Sequence, residues 1–448
     1  MIKMDIYKVL LIIAAVTFVS CSNSNLQDSN DLNIVNLRSA GQKLPGTPKY
    51  NVENCKPEDS YKTLTSLRYV GNLPIYYMDY WAQVDWKSFE KDQSSRYAVN
   101  DLKAVTKEVN DYLYKKVPVE DNTGVSNPQS ACSGFVCFNP DGDLLFGRNY
   151  DANTEPLVVV FNQYVGNHEH KSVMMTGLNI AQMVFGEKFT NDSSLLDNNM
   201  DLSILLRQPL AILDGMNDAG LCIAAYQLPS FQEGVEGTGS VSNLERPHSV
   251  DVKGSHLHKQ ISQFFLHRKL LTECETVGQA LTVLKRRNDY TTALASLNIH
   301  WYIADAKNNW CTVEFWRDKD GRDSLVVMNE QDRYEASYAP GNMIPYEYRG
   351  IENYYCNKEA GDSFLKDEWQ YTYTNKARIH NMMSHYQPVM TEAEALQCLQ
   401  YGTYKIEVPD KVTDWSCVYN PRKKKLIFNM RNDMSTVYSV ELPKDFEK

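Results

Sequence analysis

Three residue types in one stretch stand where chemistry could use them: Cys132, Arg148 sixteen positions on, and Asp151 nineteen positions on. A thiolate attacks a carbonyl carbon far better than a thiol, and a neighbouring guanidinium favours the charged sulfur. If the chain were cut between Ala131 and Cys132, the new N-terminal amine would have an unperturbed pKa of roughly 7.7–8.0. That amine could take the thiol proton at neutral pH and return it to a leaving amine, with no histidine required. Asp151 would hold or orient the ammonium. On these residues alone another reading stays open, in which Cys132 is a small buried apolar residue and Arg148 and Asp151 form a surface ion pair.

The elements around them have a local cause. Gly134-Phe135-Val136-Cys137-Phe138 and Leu144-Leu145-Phe146-Gly147 flank Asn139-Pro140-Asp141-Gly142, a strong turn sequence. A hairpin turning between Pro140 and Asp141 gives partners whose numbers sum to about 281. Cys132 then lies opposite Asn149, one residue from Arg148 and two from Asp151. Further strands are predicted at 157–164, 171–177, 221–226, 299–305, 310–316, 415–420 and 425–431. Helices are predicted at 87–116, 258–287 and 375–386, and the aromatic run from Tyr61 to Trp86 reads as a strand followed by irregular chain. Strand runs separated by helices suit an α+β fold of two antiparallel sheets with helices outside.

The first residues read separately. Lys3 and Lys8 precede an apolar run from Val9 to Val19, too short for a permanent span, which ends in Ser20-Cys21. This resembles a bacterial lipoprotein signal over residues 1–21, with Cys21 lipidated and the protein exported and anchored to the cell envelope. Membrane contact would be through that lipid only. Residues 22–50 are polar and read as a flexible tether. Residues 51–131 read as a separate small α/β segment before Cys132, with 120–130 as an exposed linker.

Composition narrows the partners. A net charge of −10 disfavours nucleic acid, whose phosphates need clustered cations. The 10 cysteines show no C-x-x-C spacing, so no metal site is expected, and their spacing does not assign disulfides. His248, His256 and His258 read as loop histidines, and the run Arg422 to Lys425 as a solvated turn. A papain-like Cys–His pair would need Cys132 at a helix start, which its hairpin neighbours oppose. No cofactor is implied.

Cys132 with Gly147-Arg148-Asn149-Tyr150-Asp151 resembles the signature of the choloylglycine hydrolase family of N-terminal-nucleophile hydrolases. Gly215-Met216-Asn217-Asp218-Ala219-Gly220-Leu221 is similar to that family's turn and strand. Leu270 to Leu284, His300 to Glu314 and Trp415 to Asn420 resemble later family segments. The resemblance implies an αββα sandwich over residues 132–448 and catalytic roles for Cys132, Arg148 and Asp151. It implies contributions to the oxyanion or substrate site from Gln227, Asn342 and Arg378. The chain departs from the family in lacking a clean Thr-Asn for the second oxyanion residue, and in carrying Gln227 where relatives have Asn or Tyr. The long segment before Cys132 resembles the prosegment of the acid ceramidase and acid amidase branch, which is cut off and stays bound. The function implied is hydrolysis of a small-molecule N-acyl amide, such as a conjugated bile acid or an N-acylethanolamine. The alternative from another class is a non-catalytic surface lipoprotein that binds glycans or lipids on the same scaffold.

Overall fold

The structure, a computed structural model, describes residues 32–44, 58–70, 75–82, 132–151, 157–163, 169–178, 202–210, 212–227, 261–285, 291–292, 299–317, 323–329, 349–352, 381–403 and 413–446. Cys21, Ala131, Asn342, Arg378, the predicted helix at 87–116 and the linker at 120–130 lie outside them.

Before Cys132 come β1 (Ile34–Asn36), α1 (Leu37–Ala40), β2 (Gly41–Lys43), α2 (Glu58–Thr65), β3 (Arg68–Val70) and β4 (Ile75–Tyr80). After it come β5 (Ser133–Phe138), β6 (Leu144–Asp151), β7 (Leu157–Asn162), β8 (Ser172–Gly177), β9 (Asp214–Asn217) and β10 (Cys222–Gln227). A short bridge pairs β11 (Ile261–Ser262) with β12 (Thr291–Thr292), and α3 (Gln263–Glu273) and α4 (Val277–Lys285) lie between them in sequence. The chain continues through β13 (Ile299–Ala304), β14 (Trp310–Arg317), β15 (Asp323–Met328) and β16 (Gly350–Glu352). It ends in α5 (Glu392–Gln400), β17 (Thr413–Asn420), β18 (Lys425–Met430) and β19 (Val437–Glu441).

Among the described residues the strands form two large sheets. One has seven strands in the order β1-β19-β18-β17-β6-β5-β16; the other has ten, β15-β14-β13-β10-β9-β8-β7-β4-β3-β2. Their facing sides share one apolar core, in which Val136 and Phe146 of the first meet Tyr226 and Tyr302 of the second. The opposite side of the seven-stranded sheet, with Phe135, Cys137 and Leu145, packs on Leu396 and Leu399 of α5. Thr391 and Glu394 form a capping box that starts α5, satisfying N–H groups at the helix entry.

The sheets are mixed, which corrects the purely antiparallel expectation. β1 runs parallel to β19 and β4 parallel to β7, so among the described residues both parallel pairings within the large sheets involve residues that precede Cys132. Residues 34–43, expected within the flexible tether, instead form β1, α1 and β2. The polar composition there suits an edge: Asn36 bonds the Asp445 carboxylate, and Arg38 pairs with Asp79 while its guanidinium lies 3.8 Å over the Phe161 ring. Tyr61 to Thr65, read as extended, lies in α2, where Thr63 and Leu64 are buried.

Candidate active site

The hairpin of β5 and β6 sets the site. Asn139 N–H donates to the Asp143 carbonyl at 2.8 Å, and Gly142 adopts φ of +80°. This closes a three-residue loop centred on Asp141, the kind in which a left-handed glycine completes the turn. The predicted turn centre was half a residue earlier. Paired numbers therefore sum to one more than expected: Gly134 faces Arg148, and Ser133 faces Asn149. Because strand side chains alternate, the true register places Cys132 on the same inner side as Arg148 and Tyr150. Asn149 turns outward, where its amide donates to the Leu399 carbonyl at 2.8 Å and to Ser133 Oγ at 3.1 Å, tying the hairpin to α5.

Arg148 is the centre of the inner cluster. Its Nη2 points at the Cys132 sulfur, 3.6 Å away. Its Nη1 donates to the Leu213 carbonyl at 2.7 Å and lies 3.0 Å from the Asp214 carboxylate. Asp214 also receives Trp415 Nε1 at 3.3 Å and the Tyr419 hydroxyl. Burial works against the Arg148 charge, but Asp214, with Cys132 and Tyr226, more than offsets it, and the guanidinium pKa rises above its ordinary value. Burial pushes the Asp214 carboxyl up, opposed by Arg148, Tyr419 and Trp415. A buried cation with a carboxylate partner is the arrangement that can keep a full charge in a dry core.

Cys132 is buried, and burial pushes its thiol up. Arg148 opposes this, the Asp151 charge adds to it, and the Asp151 backbone N–H bonded to the sulfur pulls it down again. The Asp151 carboxylate accepts from the Thr413 hydroxyl, whose strand pairs with β6 through a local irregularity. The sulfur thus lies between a cation and a backbone donor, with a carboxylate alongside. Chemically this can stabilise a thiolate as it forms and orient an adjacent ammonium.

Cys132, Arg148 and Asp151 are therefore brought together as expected from the sequence. Gln227 is the last residue of β10, paired with Ile299. Asn342 and Arg378 lie outside the described residues. Sequence reasoning missed Asp214, Trp415 and Tyr419 as the support of Arg148. The available signal was electrostatic: an arginine expected to be buried beside a nucleophile needs an anion of its own, and Asp214 directly precedes the Gly215-Met216-Asn217 motif.

The family described as linear amide C–N hydrolases, choloylglycine hydrolase family, matches residues 132–364, more than half of the chain. Among solved structures the chain is similar to penicillin V acylase from Agrobacterium tumefaciens, at 15% identity and a TM-score of 0.40, covering 70% of this chain and 87% of that one. It is also similar to a mutant conjugated bile acid hydrolase from Clostridium perfringens, at 13% identity and a TM-score of 0.39, covering 70% of this chain and 93% of that one. No curated protein matches the sequence. The extent of the family match carries the assignment: this chain belongs to the choloylglycine hydrolase family of linear amide C–N hydrolases.

Proposed function

We propose that the protein hydrolyses N-acyl amides through Cys132, after cutting itself between Ala131 and Cys132. The observation that carries this reading is the Arg148 guanidinium, anchored by Asp214 and directed at the Cys132 sulfur from 3.6 Å. In the uncut chain the sulfur attacks the Ala131 carbonyl carbon, and the peptide nitrogen leaves as the Cys132 amine. Water then hydrolyses the thioester, giving an Ala131 carboxylate and a free N-terminal cysteine.

In the cut enzyme the Cys132 amine accepts the thiol proton, and the sulfur adds to the substrate carbonyl. Collapse of the tetrahedral intermediate breaks the C–N bond, with the ammonium protonating the departing amine. Water, deprotonated by the same amine, attacks the thioester and frees the acid. Arg148 stabilises the anionic sulfur, Asp151 orients the ammonium, and backbone N–H groups with Gln227, Asn342 and Arg378 serve the oxyanion and substrate. The substrate class is an amide with an apolar acyl group: a conjugated bile acid, an N-acylethanolamine or a related lipid amide, or a penicillin V-like side chain.

The pieces remain together after the cut. Support for this comes from β1 to β4, which take part in the two large sheets through backbone pairing. The fold is read as an N-terminal-nucleophile αββα sandwich. Residues 1–21 are read as a lipoprotein signal that leaves the protein attached to the cell envelope through Cys21; loss of fatty-acid labelling on Cys21→Ser tests this.

Intact-mass measurement of the purified full chain tests the mechanism. It should give a fragment beginning at Cys132, which disappears in Cys132→Ala, while amine release from a panel of bile acid conjugates, N-acylethanolamines and penicillin V identifies the substrate. A wild-type chain that stays whole and still releases amine would sink the mechanism.

A further inference from the structure

Tyr226 on β10 is wholly buried, and among the described residues its hydroxyl has no hydrogen-bond partner. A buried phenol left without a partner is destabilising, so the position suits an anion that arrives later. Its place is specific. A Cβ on Gly134 would lie 2.3 Å from the Tyr226 hydroxyl oxygen, so the hydroxyl reaches β5 where glycine leaves a gap. Gly134 is two residues from Cys132 on the same side of the strand and directly faces Arg148. The Arg148 guanidinium carbon lies 5.0 Å from the Tyr226 ring centre and 5.2 Å from that of Tyr150, so aromatic rings contact it from two strands.

Tyr226 is itself held by a polar row. His300 is its cross-strand partner, with the two rings 5.9 Å apart at 87°. The pairing of Trp301 with Val313 sets Glu314 beside His300, and His300 Nδ1 is 3.0 Å from the Glu314 carboxylate, both fully buried. A histidine held by a buried carboxylate and packed edge-on against a phenol restricts the ring to one orientation.

We propose that Tyr226 is a positioning residue for the Cys132 nucleophile: its ring fixes the Arg148 guanidinium, and its hydroxyl donates a hydrogen bond to the Cys132 sulfur once that sulfur is an anion. The inference rests on Cys132 being the nucleophile. The charged and titratable groups facing this cluster are Arg148, Tyr150 and Asp151 from β6, Asp214 from β9, Tyr302 from β13, and Cys417 and Tyr419 from β17, with His300 and Glu314 behind Tyr226. Burial pushes the Tyr226 phenol up, Arg148 opposes this, and Cys132 adds to it.

The test reads sulfur reactivity directly. The full chain, after self-cutting, is treated with methyl methanethiosulfonate across a pH series, and modification is followed by mass spectrometry on the peptide carrying Cys132. Losing a hydrogen bond to a charged group in Tyr226→Phe should move the inflection up by about one to two pH units. Replacing Tyr226 by difluorotyrosine, a stronger donor of nearly the same shape, should move it down. This second variant decides the matter if Tyr226→Phe does not fold. Profiles that superimpose on wild type overturn the proposal. Failure of the underlying reading shows elsewhere, as amide hydrolysis that survives complete blocking of Cys132.

Discussion

Cys132 and Cys137 lie five residues apart at one strand, both buried and both with free thiols, yet they occupy opposite sides of the sheet. Cys137 faces α5 among apolar side chains; burial dominates there, and its thiol is pushed far above the ordinary range. Cys132 faces the other sheet, where Arg148 and the Asp151 N–H oppose the same burial penalty. Burial by itself makes a thiol inert. What distinguishes a nucleophile is the charge and the donors aimed at it, and strand alternation assigns those to one side only.

The contrast can be broken most severely at the sulfur. Cys132→Ala should lower amide hydrolysis by at least about a thousandfold, whereas Cys137→Ala should leave turnover intact and cost only about 1 kcal/mol in chemical denaturation. Next comes the support of Arg148. Asp214→Asn leaves a buried cation without its anion, which should destabilise the fold by about 3–5 kcal/mol in the same denaturation experiment.

Gly134→Ala probes the gap between the two sides. Its Cβ would fall 2.5 Å from the Gly147 carbonyl as well as against Tyr226, so both backbone and ring must shift. Overpacking of about 1–3 kcal/mol is expected, together with slower modification of Cys132. The last effect concerns an outer thiol and emerges only in alkali. Cys398 is pushed up to about 12 by burial. The unfolded chain therefore ionises that thiol near pH 8.5 while the folded chain keeps its proton. Stability should fall with rising pH across that window by about 1.4 kcal/mol per unit from this group. Cys398→Ala should flatten that slope in alkaline unfolding curves; an unchanged slope would show that Cys398 does not set it.

The legible parts of this molecule were those with local causes. Asn139-Pro140-Asp141-Gly142 announced the hairpin, and the hairpin brought Arg148 and Asp151 back to Cys132. The register slipped by one because the turn residues alone did not distinguish a two-residue from a three-residue loop. Asp214 was hidden because its partner lies 66 positions away in sequence and meets it only across the stacked sheets. The helix α5 went unread although Thr391 to Glu394 spells a capping box, since its four buried residues span scarcely two turns. The strands before Cys132 misled for a related reason: β1 and β2 are three residues each, and their pairing depends on distant β19 and on β3 rather than on their own composition.

Those two short strands close one margin of each sheet, with β1 outside β19 and β2 at the end of the row that begins from β7 through β4. A recombinant protein begun at Cys132 would bare β19 and the run Leu157-Val158-Val159-Val160-Phe161-Asn162 along their open N–H and C=O rows. Such uncovered, apolar strand margins recruit further chains into polymers. The early residues thereby act as a guard against self-association, and the working enzyme must be made from the longer chain.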